Sequence, residues 1–139
     1  MAITTTMCTS FKQELLEAEH DFTADTFKVA LYADTATLGA STTAYSTSDE
    51  VTGTGYTAGG KTLTTVAPTT SNNVAYVDFN DVTWTSSTIT ARGMLIYNSS
   101  KSNKAVAVYD FGSNQSSSSS TFIVEFPTAA SGTAIVRIE

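Results

Sequence analysis

Apolar residues recur at every second position through most of this chain. In "TFKVALY" (Thr26–Tyr32), Phe27, Val29 and Leu31 share one face; in "VAYVDF" (Val74–Phe79), Ala75, Val77 and Phe79 do the same. "TITARGMLIY" (Thr88–Tyr97) alternates but turns apolar on both faces near Leu95 and Ile96, the pattern of a central strand. "KAVAVYDF", "TFIVEF" and "TAIVRIE" repeat the alternation, and "KTLTTV" (Lys61–Val66) is a further strand. Short polar segments separate them, so the pattern predicts a mainly β fold: an antiparallel β-sandwich or barrel, jelly-roll-like.

One segment breaks the period. "SFKQELLEAEH" (Ser10–His20) places Phe11, Leu15 and Ala18 on a narrow stripe, with Ser10 and Gln13 at capping-box spacing. It predicts a short N-terminal α-helix over 10–20, too short to stand without docking. Residues 1–9, uncharged and threonine-rich, read as an arm that orders on contact with a partner. Residues 10–139 form a single β domain. "NSSKSN" (Asn98–Asn103) predicts a hairpin turn, and the low-complexity "GSNQSSSSS" (Gly112–Ser120) a mobile loop between strands. The long stretch Ala33–Glu50 is weakly periodic, as in loops that bind something or carry hidden structure.

Composition narrows the chemistry. The 139 residues include 7 Lys and Arg against 13 Asp and Glu, a formal net charge of −6. Lys12, Lys28, Lys61, Arg92, Lys101, Lys104 and Arg137 are scattered, which disfavours nucleic acid as a partner. Charged residues make up only 14%, and serine and threonine fill the gap. The lone Cys8 excludes an intrachain disulfide. The N-terminus lacks the basic and apolar regions of a signal peptide, and no apolar run is long enough to span a membrane as a helix. The expectation is a chain made in a host cytoplasm, with no secretion signal and no membrane partner.

Three features carry candidate chemistry. "GYTAGGKT" (Gly55–Thr62) matches the spacing of a phosphate-binding loop, yet β-branched residues and a proline follow where a helix is required. The reading is therefore a glycine-rich turn into a strand, with Gly59-Gly60 at positive φ. His20-Asp21 lies near many serines, but no nucleophile elbow occurs, and His20 reads as a helix C-terminal residue favoured by the macrodipole. One cysteine and one histidine do not make a typical zinc site, and Asp78, Asp81, Asp49 and Glu50 lack EF-hand spacing. No catalytic residue, metal or cofactor is expected. Trp84, Tyr45, Tyr56, Tyr76, Tyr97 and Tyr109 fit core, interface or a sugar-stacking platform. Phe11, Leu15, Tyr45, Tyr56 and Trp84 are the candidate interface residues.

Four blocks carry a resemblance. "SFKQELLEAEHDFTADTFKVALY", "TTAYSTSDEVTGTGYTAGGKTL", "WTSSTITARGMLIYNSSKSNKAVAVYDFG" and "FPTAASGTAIVRIE", in this order and spacing, resemble small virion-associated proteins of tailed bacteriophages, including phages of cyanobacteria. The resemblance spans nearly the whole chain. It implies a non-enzymatic virion structural protein, first a capsid decoration (cement) protein on the capsid surface. Such a protein binds the major capsid protein and works as a homotrimer. A tail or fibre component is the alternative, and a carbohydrate-binding module a more distant one. No catalytic residues come with it.

Overall fold

Phe27–Tyr32 forms a strand, as the alternation predicts, but buries both faces. The computed structural model describes residues 2–139. Its elements are β1 (Thr6–Met7), α1 (Thr9–Leu16), β2 (Phe27–Tyr32), β3 (Lys61–Thr62), β4 (Thr65–Ser71), β5 (Val74–Phe79), β6 (Val82–Asn98), β7 (Lys104–Val124) and β8 (Val136–Ile138). They make two antiparallel sheets, ordered β1-β7-β6-β2-β3 and β4-β5-β8. The fold is mainly β and sandwich-like, with one short helix.

The sheets share an aromatic core. Phe22 stacks on Phe27 of β2 at 4.5 Å, Phe27 meets Phe79 of β5 at 6.0 Å, and Phe79 meets Phe126 at 5.9 Å. Phe11 of α1 closes the row against Phe22 at 6.1 Å. One run of rings therefore joins the helix, both sheets and the C-terminal segment. Such pairs add to their area burial about 0.5–1.5 kcal/mol each.

"KTLTTV" does not form one strand. Lys61–Thr62 pairs with β2 in the first sheet, and Thr65 begins β4 in the second. The chain changes sheets at Leu63, which is buried. In β4 the register shifts between Val66 and Thr69, across Pro68. Proline has no N–H for a ladder, so this edge strand bulges where it sits. Asn72 and Asn73 turn β4 into β5 with φ of 53° and 63°, the conformation a two-residue I′ hairpin requires.

The largest departure from expectation is the β6–β7 hairpin. "VTWTSST" belongs to β6, and "GSNQSSSSS" is strand, inside a β7 of 21 residues. The expected hairpin turn is present, with Asn98 opposite Lys104. The serine tract is held because β6 offers a matching hydroxyl row. Ser116 pairs with Thr90 and Ser117 with Ile89 in the ladder, and the Ser87 and Ser117 hydroxyls, both buried, bond at 2.8 Å. Between Ala91↔Gln115 and Gly93↔Asp110, β7 advances five positions against two on β6. That wide bulge spans Phe111–Asn114, with Gly112 at φ 85°.

The N-terminal residues also differ from a free arm. Thr6 and Met7 pair with Val108 and Ala107, Ile3 bridges Leu38, and Ile3 and Cys8 are buried. The first sheet thus gains an edge strand from residues that read as unstructured. The helix is shorter than 10–20. Cys8 is its N-cap without a side-chain bond, and the expected Ser10–Gln13 box does not form. The Ser10 hydroxyl is buried without a partner, and Gln13 donates instead to Glu17 at 2.6 Å. Ala18, at φ 59°, ends the helix: its N–H reaches the Leu15 carbonyl and the Glu19 N–H the Glu14 carbonyl. This is a Schellman closure with alanine where glycine is usual.

Candidate functional site

The glycine loop turns back on an internal anion. Gly55, Gly59 and Gly60 have φ of 84°, 95° and 76°. A Cβ on Gly60 would lie 1.7 Å from the Val29 carbonyl oxygen, so only glycine lets the loop lie against β2. Lys61 enters β3 rather than a helix, donates its ammonium to the Thr83 carbonyl and stands 5.8 Å from the Trp84 ring. The Gly59 N–H donates to the Glu50 carboxylate at 2.8 Å. An incoming phosphate would meet that fixed negative charge where a phosphate loop offers free donors.

Glu50 is the centre of a tyrosine cluster. Tyr56 and Tyr45 donate to its two oxygens at 2.6 and 2.7 Å, and the Leu31 N–H donates to the Tyr56 oxygen at 2.9 Å. Tyr97 donates to the Gly59 carbonyl at 2.6 Å and stacks on Tyr45 with centroids 4.7 Å apart. Tyr32 donates to the Ser46 carbonyl at 2.6 Å. Desolvation pushes the Tyr97 phenol up to about 12 and raises Tyr32, Tyr45 and Tyr56 further. For Tyr45 and Tyr56, donation to the Glu50 carboxylate adds to the rise. The cluster binds Ala33–Glu50 and the glycine loop to the outer face of β2, which is why β2 is buried on both sides.

The five candidate interface residues lie in different surroundings. Phe11 and Trp84, at 0% and 1% exposure, are core residues. Trp84 packs edge-on to Phe122 at 6.1 Å, because β6 begins at Val82 and turns its side chain inward. Tyr56 has its hydroxyl committed between Glu50 and Leu31. Tyr45 is half-buried and likewise bonded to Glu50. Leu15 is half-buried and lines a surface groove of about 100 Å³ with Phe22, Pro68, Tyr76 and Ile138. Ile138 is 57% exposed there, and on α1 Leu16 is 90% exposed.

His20 lies beyond the helix end, not at its last carbonyls. Its ring packs edge-on to Phe11 at 4.9 Å. Asn98 donates to Nδ1 at 3.0 Å and to Asp25 at 2.8 Å, so Nε2 carries the proton and donates to Glu14 at 3.0 Å. Both ring nitrogens are thus occupied in holding the helix against β6. Lys104 adds a second tie, 3.1 Å from Glu19. Burial, followed by the Glu14 charge, pushes the Cys8 thiol up to about 11, which keeps it in the unreactive thiol form.

The acids weighed as calcium ligands have separate tasks. Asp81 accepts the Phe126 N–H at 2.7 Å, and Asp49 accepts the Thr35 hydroxyl at 2.6 Å. Asp78 is 1% exposed and accepts the Phe79 N–H at 2.8 Å, while its Oδ2 has no partner. The alternation in "VAYVDF" puts Asp78 on the face opposite Val77 and Phe79, the face a half-buried strand turns to solvent. The C-terminal segment at Ile135 covers it instead.

No family model, curated protein or solved structure matched the chain.

Proposed function

We propose that the chain is a non-enzymatic structural protein of a bacteriophage virion, foremost a capsid decoration protein that binds the major capsid protein at the capsid surface as a homotrimer. The observation that carries the assembly role is the apolar groove of Leu15, Phe22, Pro68, Tyr76 and Ile138, with Ile138 57% exposed. Clustered apolar surface of this kind marks a protein contact. The resemblance in the four sequence blocks supplies the virion setting. A tail or fibre component is the second reading, since the same groove serves either assembly. A sugar platform gains less support, because Trp84, the best stacking ring, is buried.

The physical benefit is linkage. A protein that binds an assembled shell but not its dissociated subunits stabilises the shell by about 2.7 kcal/mol per site at a hundredfold excess over Kd. Trimeric attachment multiplies weak contacts. Purified protein added to particles lacking it should raise their resistance to heat or osmotic shock. Ile138→Glu should abolish the gain while leaving the fold intact, since Ile138 lines the groove yet is 57% exposed. Particles that gain nothing at saturation, or that carry the protein only on the tail, would exclude the decoration role.

A further inference from the structure

We infer that protonation of His20 unlatches residues 17–26 from the β6–β7 hairpin, a pH-sensitive catch built into the fold. The His20 side chain is fully buried, and Asn98, the last residue of β6, is buried with it. The Asn98 amide has one orientation open to it. Its Oδ1 accepts the Ser100 N–H at 3.0 Å, and a main-chain N–H acts only as a donor. Its Nδ2 therefore faces Asp25 at 2.8 Å and His20 Nδ1 at 3.0 Å, and both must accept. The ring fills that place only while Nδ1 carries no proton.

A second proton on the ring goes to Nδ1, because Nε2 already holds one and donates it to Glu14 at 3.0 Å. Nδ1–H then meets the Asn98 NH2 group, donor against donor, inside the fold. The amide cannot answer by turning over. Its oxygen would then face the Asp25 carboxylate, and its NH2 group the Ser100 N–H. The Glu14 bond, by contrast, becomes an ion pair and strengthens. The imidazolium thus stays with the helix and leaves β6.

The groups around the ring keep the opening local. Glu14 stands on α1, Glu19, Asp21 and Asp25 on the segment itself, Lys104 on β7 and Lys101 in the hairpin turn. Glu14 also acts on the Cys8 thiol, which stays neutral. Phe11 and Phe27 pack on the ring without charge. The hydrogen bond from Lys104 holds the Glu19 carboxyl below the ordinary range, so that tie to β7 persists on acidification. Thr23 holds Asp21 low in the same way and keeps its turn. The link that breaks is the one from His20 to β6. Phe22 sits in the loosened segment and lines the apolar groove with Leu15, so the latch governs one wall of that groove.

The chain has a single histidine, so heteronuclear NMR of the full chain reads its ring nitrogens without ambiguity. Ring signals and amide-exchange protection factors are followed together from about pH 7.5 to about pH 5, the range in which histidine changes charge. At the upper pH the ring should be the Nε2–H tautomer. As it protonates, protection of the Ala18, Glu19, Ala24 and Asp25 amides should fall about tenfold, the scale of one buried hydrogen bond. The Val51 and Leu63 amides, bonded to β2, should keep theirs. His20→Gln retains an acceptor for Asn98 and a donor for Glu14 without a titrating group, so its protection should not change with pH. Asn98→Asp gives Nδ1–H an acceptor and should reverse the trend, with protection rising on acidification. Unchanged protection through ring protonation, an Nδ1–H tautomer at neutral pH, a ring still neutral at the lower pH, or a His20→Gln chain that loosens like the parent would overturn the latch.

Discussion

Asp78 is a charge-bearing group placed where water cannot reach it. Burial holds its carboxyl above the ordinary range, opposed only in part by main-chain donors at Phe79 and Ile135. A raised carboxyl means that the folded chain keeps a proton the unfolded chain has released. The stability it contributes is therefore fully present below the ordinary aspartate value of about 3.9, and is lost as pH rises through the raised folded value. At neutral pH Asp78 is a burden. Asp78→Asn should stabilise the fold at pH 7 by about 1–2 kcal/mol, the scale of an unsatisfied buried acceptor, and by much less near pH 4. Urea denaturation at the two pH values checks this; equal or lower stability of the variant at pH 7 would refute it.

At the scale of elements, β7 shows how a partner strand overrides composition. Five consecutive serines, Ser116–Ser120, read as a loop because serine gives little apolar signal and competes with the ladder through its own hydroxyl. β6 decides otherwise. Its Ser87 hydroxyl lies within 3.0 Å of the Trp84 and Ser120 carbonyls and of the Ser117 hydroxyl, which in turn lies 3.1 Å from the Ser87 carbonyl. Ser87→Ala and Ser117→Ala should each cost about 1–2 kcal/mol by leaving a buried polar group unpaired. The double variant should cost clearly less than their sum, because the two residues share one bond. Equilibrium denaturation of the singles and the double measures the coupling; simple additivity would mean that the hydroxyl pair does not hold the strands. The helix follows the same lesson. Its stripe was legible at Phe11 and Leu15, but its end was not, since the αL closure at Ala18 has no glycine to announce it.

Across the whole molecule, the Glu50 cluster joins segments far apart in sequence: Tyr32, Tyr45, Tyr56 and Tyr97 tie two long loops to the first sheet. Their raised phenols give the assembly an alkaline limit. Unfolded tyrosines release protons from about pH 10, whereas Tyr97 holds its proton to about 12 and the other three hold theirs longer. The folded state binds more protons in that window, so stability should fall as pH rises above about 10. Tyrosinate absorbance and far-UV dichroism followed together should show these phenols ionising with loss of the sheet. Gradual ionisation near pH 10 with the sheet intact would contradict the cluster.

Period-two alternation was enough to read the mainly β fold, most strand positions, the Asn98–Asn103 hairpin and the non-helical context of Gly55–Thr62. That signal is local: each strand must bury one face, whatever its neighbours are. Tertiary structure alone decided where Asp78, Trp84 and the serine tract lie, and that Thr6 and Met7 complete a sheet edge. It also decided that the glycine loop closes on Glu50. Each of these depends on which distant segment covers a given face, and that pairing is set by long-range packing and hydrogen bonding rather than by the period of any single stretch.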